Sequence, residues 1–215
     1  MTEADVVVTD YILAAESVLF ALLLSRRASS GRGWRDPFVW FFAATGAGSL
    51  AGGTVHGFFL SGDSAMGVAL WRVALLSIGV AAFCGWTIGA HMLFAEATAR
   101  TIRAAAAIEL LVYAAVILGL NDSFWVAVTN YLPTTAFLMV AFVAAYRATQ
   151  DRTMAIGVTG LASTVVAAAI QQFRVALHPV YFNHNALYHL VQTAALFMIF
   201  WSARSLAHKG YAAAT

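Results

Sequence analysis

One stretch of sequence, Asn183-His184-Asn185-Ala186-Leu187-Tyr188-His189-Leu190-Val191-Gln192, leads directly into an apolar run that ends at Trp201. The run is Thr193-Ala194-Ala195-Leu196-Phe197-Met198-Ile199-Phe200-Trp201. Together the two segments have the length and hydrophobicity of a helix that crosses a membrane. Polar side chains at the head of such a helix are costly to place in a bilayer and are usually functional.

The whole chain has the composition of an integral membrane protein. Of its 215 residues, 61% are hydrophobic and 10% are charged, whereas soluble domains carry roughly 25% charged residues. The formal net charge of +2 is too small to indicate nucleic-acid binding. The single cysteine, Cys84, excludes an internal disulfide. The length predicts one transmembrane domain over residues 1–215.

Seven segments are apolar over the roughly 20 residues that a membrane-spanning helix needs. They are Val8–Leu24, Phe38–Leu60, Gly67–Phe94, Ile102–Leu120, Phe124–Tyr146, Met154–Leu177 and Asn185–Leu206. The connections between them are short. The sequence therefore predicts an all-α fold, an integral membrane bundle of seven transmembrane helices.

The basic residues lie mainly on one side of this predicted bundle. The first, third and fifth connections and the C-terminal end carry Arg26, Arg27, Arg32, Arg35, Arg100, Arg103, Arg147, Arg152, Arg204 and Lys209. Because cytoplasmic loops are enriched in Lys and Arg, this pattern predicts the N-terminus outside and the C-terminus in the cytoplasm. We expect the protein in the inner membrane of a bacterium.

Polar residues recur at helical spacing in the outer halves of several predicted helices. Thr45, Ser49 and His56 share a face of the second helix, and Asn185, His189 and Gln192 share a face of the seventh. The sixth and fifth helices add Gln171, Arg174, His178 and Asn130 at the same level. Since polar side chains in a bilayer face the bundle interior or a water-filled cavity, we predict an outward-facing cavity. Its predicted lining includes Asn130, Gln171, Arg174, His178, Asn185 and Gln192.

Histidines on different predicted helices at one level favour a metal site. A catalytic zinc takes three protein ligands and leaves one position for water. The candidate ligands are His56, His189 and either His184 or His178. His184 and His189 are five residues apart, about 140° around a regular helix, so they can share a metal only if the helix begins irregularly. The alternative is that these histidines are hydrogen-bonded structural residues.

Glu16 falls close to the middle of the first predicted span. A carboxylate at that depth needs a partner. It is a candidate acceptor for a histidine N–H or a candidate general base. A protonated, purely structural Glu16 is the third alternative.

In topology and in a few motifs, the sequence resembles the superfamily of alkaline ceramidases and progestin/adipoQ receptors, which are seven-helix metal-dependent hydrolases. Ser49 resembles the serine of the second helix, although His56 follows it after seven residues instead of four. Asp63 resembles the aspartate that starts the third helix. His184 to His189 resembles the last motif with one additional residue, and with His189 as a ligand Asn185 takes the place of the other.

This resemblance implies a zinc-bound water that hydrolyses a lipid amide or ester, with Ser49 or Asp63 in support. Two other classes stay open. The cavity suits a membrane protein that binds or transports a small ligand or a lipid without metal. The chain also suits a structural subunit whose polar groups contact partner helices. The only lysine, Lys209, lies beyond the seventh predicted helix, which argues against a covalent retinal protein.

Overall fold

The computed structural model describes residues 3–26, 35–60, 64–178 and 181–209, and these ranges form seven helices. The helices are α1 (Ala4–Ser25), α2 (Arg35–Phe58), α3 (Ala65–Leu93), α4 (Glu96–Gly119), α5 (Phe124–Thr149), α6 (Arg152–Gln172) and α7 (His184–Lys209). Each is long and apolar enough to cross a membrane. No β-sheet forms within these ranges. The predicted all-α membrane bundle is therefore confirmed.

Six of the helices form a closed ring in the order α1, α2, α3, α5, α6 and α7, and α7 packs back against α1. α4 stands outside this ring and packs mainly against α3. The connections between successive helices are short, so neighbours in sequence run in opposite directions. The interior of the protein is consequently built by every helix except α4.

The end of the ring where α1 finishes is filled with aromatic side chains. The rings of Phe20 and Phe200 stack with their centroids 4.1 Å apart, and Phe20 meets Phe42 edge-on at 5.5 Å. All three side chains are buried. Because lipid is as apolar as these residues, helices in a membrane associate through close packing of this kind. This end of the ring is closed by the aromatic cluster.

α4 has the surface of a helix that faces lipid. Ile108, Leu111, Val112 and Leu118 are all more than half exposed. Its buried contacts are concentrated on the side towards α3, where Tyr113 donates a hydrogen bond to the carbonyl of Leu75 at 2.9 Å. Exposed apolar side chains around an internally hydrogen-bonded helix are what the hydrocarbon region requires.

The sixth predicted span, Met154–Leu177, is too long. α6 ends earlier because Arg174 adopts a left-handed backbone conformation with φ 54°. The N–H of Val175 donates to the carbonyl of Ile170 at 2.9 Å, which closes the helix end in a Schellman motif. Arg174 and His178 therefore lie beyond α6. The prediction that both residues belong to the sixth helix was wrong.

We predict that Gly160→Ala destabilises the bundle by about 1–3 kcal/mol, the usual cost of overpacking. A Cβ on Gly160 would lie 2.8 Å from the backbone carbonyl of Ala195, so α6 and α7 would have to separate. Gly119→Ala is the matched control, because a Cβ there meets nothing within 4 Å. Equilibrium unfolding in mixed detergent micelles measures both variants. Equal stability of the two variants would contradict the close α6–α7 contact.

Candidate functional site

A cavity of about 190 Å³ lies inside the ring. Along α2 its lining reaches from Phe41 to His56, about 22 Å at the helical rise of 1.5 Å per residue. Leu196 and Phe41 lie towards the aromatic cluster, and His56 lies near the end where α1 begins. The polar or charged lining residues are Asp10, Thr45, Ser49, His56, Trp71, Tyr131, Thr164, Gln171, Asn185, Tyr188, His189 and Gln192.

The cavity is organised around a contact between Asp10 on α1 and His189 on α7. Oδ1 of Asp10 lies 3.2 Å from Nε2 of His189. The two residues are 3% and 7% exposed, so they are almost completely removed from lipid and water. An isolated buried carboxylate would be very costly, and the imidazole supplies the partner that makes this position tolerable.

The other nitrogen of the His189 ring is also held. Nδ1 lies 3.3 Å from the hydroxyl of Thr9, which is itself 2.9 Å from the carbonyl of Asp5 one turn earlier on α1. Both ring nitrogens of His189 thus contact consecutive residues of α1. The orientation of the imidazole is fixed from both sides, as expected for a histidine whose tautomer matters.

Glycines on α2 allow α1 to come close enough for this arrangement. A Cβ on Gly53 would lie 2.9 Å from the Cβ of Asp10 and 2.9 Å from the ring of Tyr11. At Gly52, which lines the cavity, a Cβ would lie 3.6 Å from Oδ2 of Asp10, an ordinary contact distance. Gly53 is therefore required by the packing of the two helices, and Gly52 leaves space beside the carboxylate.

A second set of contacts ties together the helix ends at the rim of the cavity. Nδ1 of His56 lies 2.7 Å from Oε2 of Glu3. The side-chain amide of Asn183 approaches Oε1 of Glu3 at 3.5 Å, and its backbone N–H donates to Asp5 at 2.9 Å. Oδ1 of Asn183 in turn accepts the N–H groups of Asn185 and Ala186, so Asn183 caps the start of α7. The rim thus links α1, α2 and α7.

The structure brings part of the predicted site together. The predicted residues that line the cavity are Ser49, His56, Gln171, Asn185, His189 and Gln192. The predicted residues that do not line it are Glu16, Asn130, Arg174, His178 and His184. Asp63 lies outside the described residues.

Helix geometry explains why several predicted site residues do not line the cavity. His184 begins α7 as a regular helix, so it points away from the face of His189. Tyr131 lines the cavity in place of its neighbour Asn130.

Glu16 is six residues after Asp10, about 240° around the helix. The carboxylates that contact His189 and His56 are those of Asp10 and Glu3. Oε2 of Glu16 is buried without a hydrogen bond from the described residues.

Sequence reasoning missed Asp10, Tyr131 and Tyr188. Asp10 falls inside the first predicted span, Val8–Leu24, and was not among the predicted site residues. The signal that could have found it is its position within the apolar run, because a carboxylate there needs a partner as much as Glu16 does. Tyr188 and Tyr131 carry no such signal, since aromatic residues are common throughout the helices.

The described residues do not supply a complete zinc site. In residues 3–26, 35–60, 64–178 and 181–209, no three His, Cys, Asp or Glu side chains are grouped so that they could hold a metal ion. His56 and His189 are each engaged by a different carboxylate, Glu3 and Asp10. His184 and His178, the alternatives for the third predicted ligand, are both outside the cavity lining. This donor set does not fit a three-ligand catalytic zinc.

Fold and cavity together define a polytopic helical membrane protein with a polar site buried in its interior. The chain belongs to a family of unknown function (DUF6962), whose model matches residues 6–208. No curated protein and no solved structure matches the chain. The matched region contains all the cavity-lining residues, so the cavity lies within the part of the chain that defines the family.

We predict that Asp10→Ala and His189→Ala each lower the free energy of unfolding by about 1–3 kcal/mol, because each leaves a buried polar group without its partner. The double variant should cost less than the sum of the two single variants. Equilibrium unfolding of all four proteins in detergent micelles gives this double-mutant cycle.

Glu3→Ala serves as the control for this cycle. It breaks the pair of Glu3 with His56, whose side chains are 35% and 19% exposed, and a partly exposed pair contributes less than a fully buried one. Strictly additive effects of the Asp10 and His189 substitutions would contradict the pairing described here.

Proposed function

We propose that this protein binds a small ligand, or the headgroup of a lipid, in the cavity inside the ring, without a metal. The observation that carries the proposal is the buried Asp10–His189 contact, which lies in the wall of a cavity and not in a packed core. Ionisable groups inside a membrane are expensive, and they mark ligand or ion sites in membrane proteins.

The size of the cavity supports a small ligand. Its volume of about 190 Å³ is below the roughly 300–1,000 Å³ of pockets for drug-sized molecules. A complete lipid with two acyl chains is too large for such a space, whereas a headgroup or a free small molecule is not.

The hydrogen-bonding groups of the lining also support a bound partner. Nε2 of Gln192 donates to the hydroxyl of Thr164 at 3.4 Å. Oε1 of Gln192 is buried and accepts no hydrogen bond from the described residues. Buried polar atoms are rarely left without a partner. A ligand that donates a hydrogen bond at this depth of the cavity would satisfy Gln192.

The zinc-dependent lipid hydrolase implied by the resemblance to alkaline ceramidases stays a prediction. Ser49 and His56, which carry that resemblance on α2, both line the cavity. The incomplete ligand set around the two histidines favours binding over metal-dependent hydrolysis.

We predict that Ala168→Phe abolishes ligand binding, because Ala168 lines the cavity on α6 and a benzyl group would fill much of the space. The protein is purified in mild detergent, extracted with methanol, and the extract is analysed by mass spectrometry. The wild type should release one enriched compound that the Ala168→Phe variant lacks.

Ala162→Phe is the matched control, because Ala162 lies on the exposed face of the same helix. It should release the same compound as the wild type. If the extracts of the wild type and the Ala168→Phe variant are identical, the cavity does not hold a ligand and the proposal fails.

We further propose that the N-terminus lies outside and that the cavity end of the ring faces outward from a bacterial inner membrane. The described arginines at the opposite end of the bundle are Arg26, Arg35, Arg100, Arg103, Arg147, Arg152 and Arg204. Those at the cavity end are Arg72 and Arg174. An excess of Arg on one side favours the cytoplasm for that side.

We predict that a membrane-impermeant maleimide labels Asn121→Cys but not Gln150→Cys in intact bacterial cells. Asn121 lies between α4 and α5 at the cavity end, and Gln150 lies between α5 and α6 at the other end; both are exposed. The native Cys84 is buried and provides a low background. After the cells are broken, both variants should react. Selective labelling of Gln150→Cys in intact cells would reverse the orientation.

A further inference from the structure

A continuous wall of aromatic rings leads along the cavity to Asp10. The rings of Trp71 and Phe124 have centroids 6.4 Å apart, and Phe124 meets Tyr188 at 6.1 Å. Tyr188 is followed by the His189 ring at 4.9 Å. All four residues line the cavity, and the last of them contacts the carboxylate of Asp10.

The ionisable side chains of the described lining include an acid but neither lysine nor arginine. Asp10 is its one carboxylate, and no lysine or arginine is among the described lining residues. Apart from His189, the basic side chain in the described lining is His56, and its imidazole is directed towards the carboxylate of Glu3. The described lining of the cavity therefore offers one buried carboxyl group and several aromatic rings, and it has no lysine or arginine for an anionic ligand.

We infer that the cavity selects a small organic cation, a quaternary or protonated amine, with Asp10 as its counter-ion and the aromatic wall as its cage. This inference rests on the proposed ligand-binding function and specifies the class of the ligand. Aromatic faces attract ammonium groups most strongly where water is excluded. A buried cation also needs an opposite charge nearby, which the Asp10 carboxylate provides.

The contacts around Asp10 are compatible with this role. Oδ1 of Asp10 lies 3.2 Å from Nε2 of His189, and the Thr9 hydroxyl, which donates to the carbonyl of Asp5, lies 3.3 Å from Nδ1. A cation bound beside Asp10 would stabilise the ionised form of its carboxyl group. The second carboxylate oxygen, Oδ2, lies beside Gly52, where the absence of a side chain leaves room for a ligand.

The test compares choline with 3,3-dimethylbutan-1-ol, a neutral molecule of nearly the same shape. Both are titrated by calorimetry into the purified protein in dodecyl maltoside, an uncharged detergent that contains no choline. The dissociation constant for choline should be at least about tenfold lower than that for the neutral alcohol. Asp10→Asn should abolish this preference while it leaves the weaker binding of the alcohol unchanged.

Gly52→Ala provides a second variant that does not touch the ionisable pair. The added methyl group has room at ordinary contact distance, so it should leave thermal stability unchanged and weaken choline binding by about tenfold or more. It keeps the test decisive if Asp10→Asn does not fold.

The outcomes separate the two proposals. Equal affinity for choline and the alcohol would overturn the cation assignment and leave a binding cavity standing. Failure of both probes to bind would also overturn the assignment to small ammonium ligands, and the copurification comparison of Ala168→Phe with Ala162→Phe decides independently whether the cavity holds a ligand. A choline preference that survives in Asp10→Asn would remove Asp10 as the counter-ion.

Discussion

A carboxylate inside a membrane bundle must have a partner, and the contact of Asp10 with His189 meets that constraint here. The contact requires α1 to lie against both α2 and α7. Gly53 permits the first of these approaches, since any side chain at that position would collide with Asp10. The closure of the six-helix ring, with α7 packed back on α1, thus includes a polar contact near the end where α1 begins and the stacked rings of Phe20 and Phe200 near the other end.

The fold was largely predictable because each helix must satisfy its own backbone hydrogen bonds in lipid. Hydropathy alone therefore located seven helices, with bounds that differ from α2, α3 and α5 by a few residues at most. The end of α6 was not predictable in this way. Its left-handed residue is Arg174 and not a glycine, so the sequence gives no sign that the helix stops there.

The site was predictable only in part, because spacing fixes which residues share a helix face but not which face points inward. Ser49 with His56, and Asn185 with His189 and Gln192, were correctly grouped by spacing, and each group lines the cavity. On α1 the choice between Asp10 and Glu16 depends on how the helix is rotated relative to α2 and α7. That rotation is set by contacts between residues far apart in sequence, and the exclusion of α4 from the ring has the same origin.

The deep contact of Asp10 with His189 and the contact at the rim of the cavity differ in how often thermal motion breaks them. The deep pair is almost fully buried, whereas the rim contact of His56 with Glu3 is partly exposed. A contact of about 1 kcal/mol or less is broken for an appreciable fraction of the time, since that energy corresponds to a factor of roughly five in population. The rim contact of His56 with Glu3 is therefore expected to break more often than the deep pair. For the ligand proposed above, the motion of these two side chains is a smaller barrier to exchange than the separation of helices.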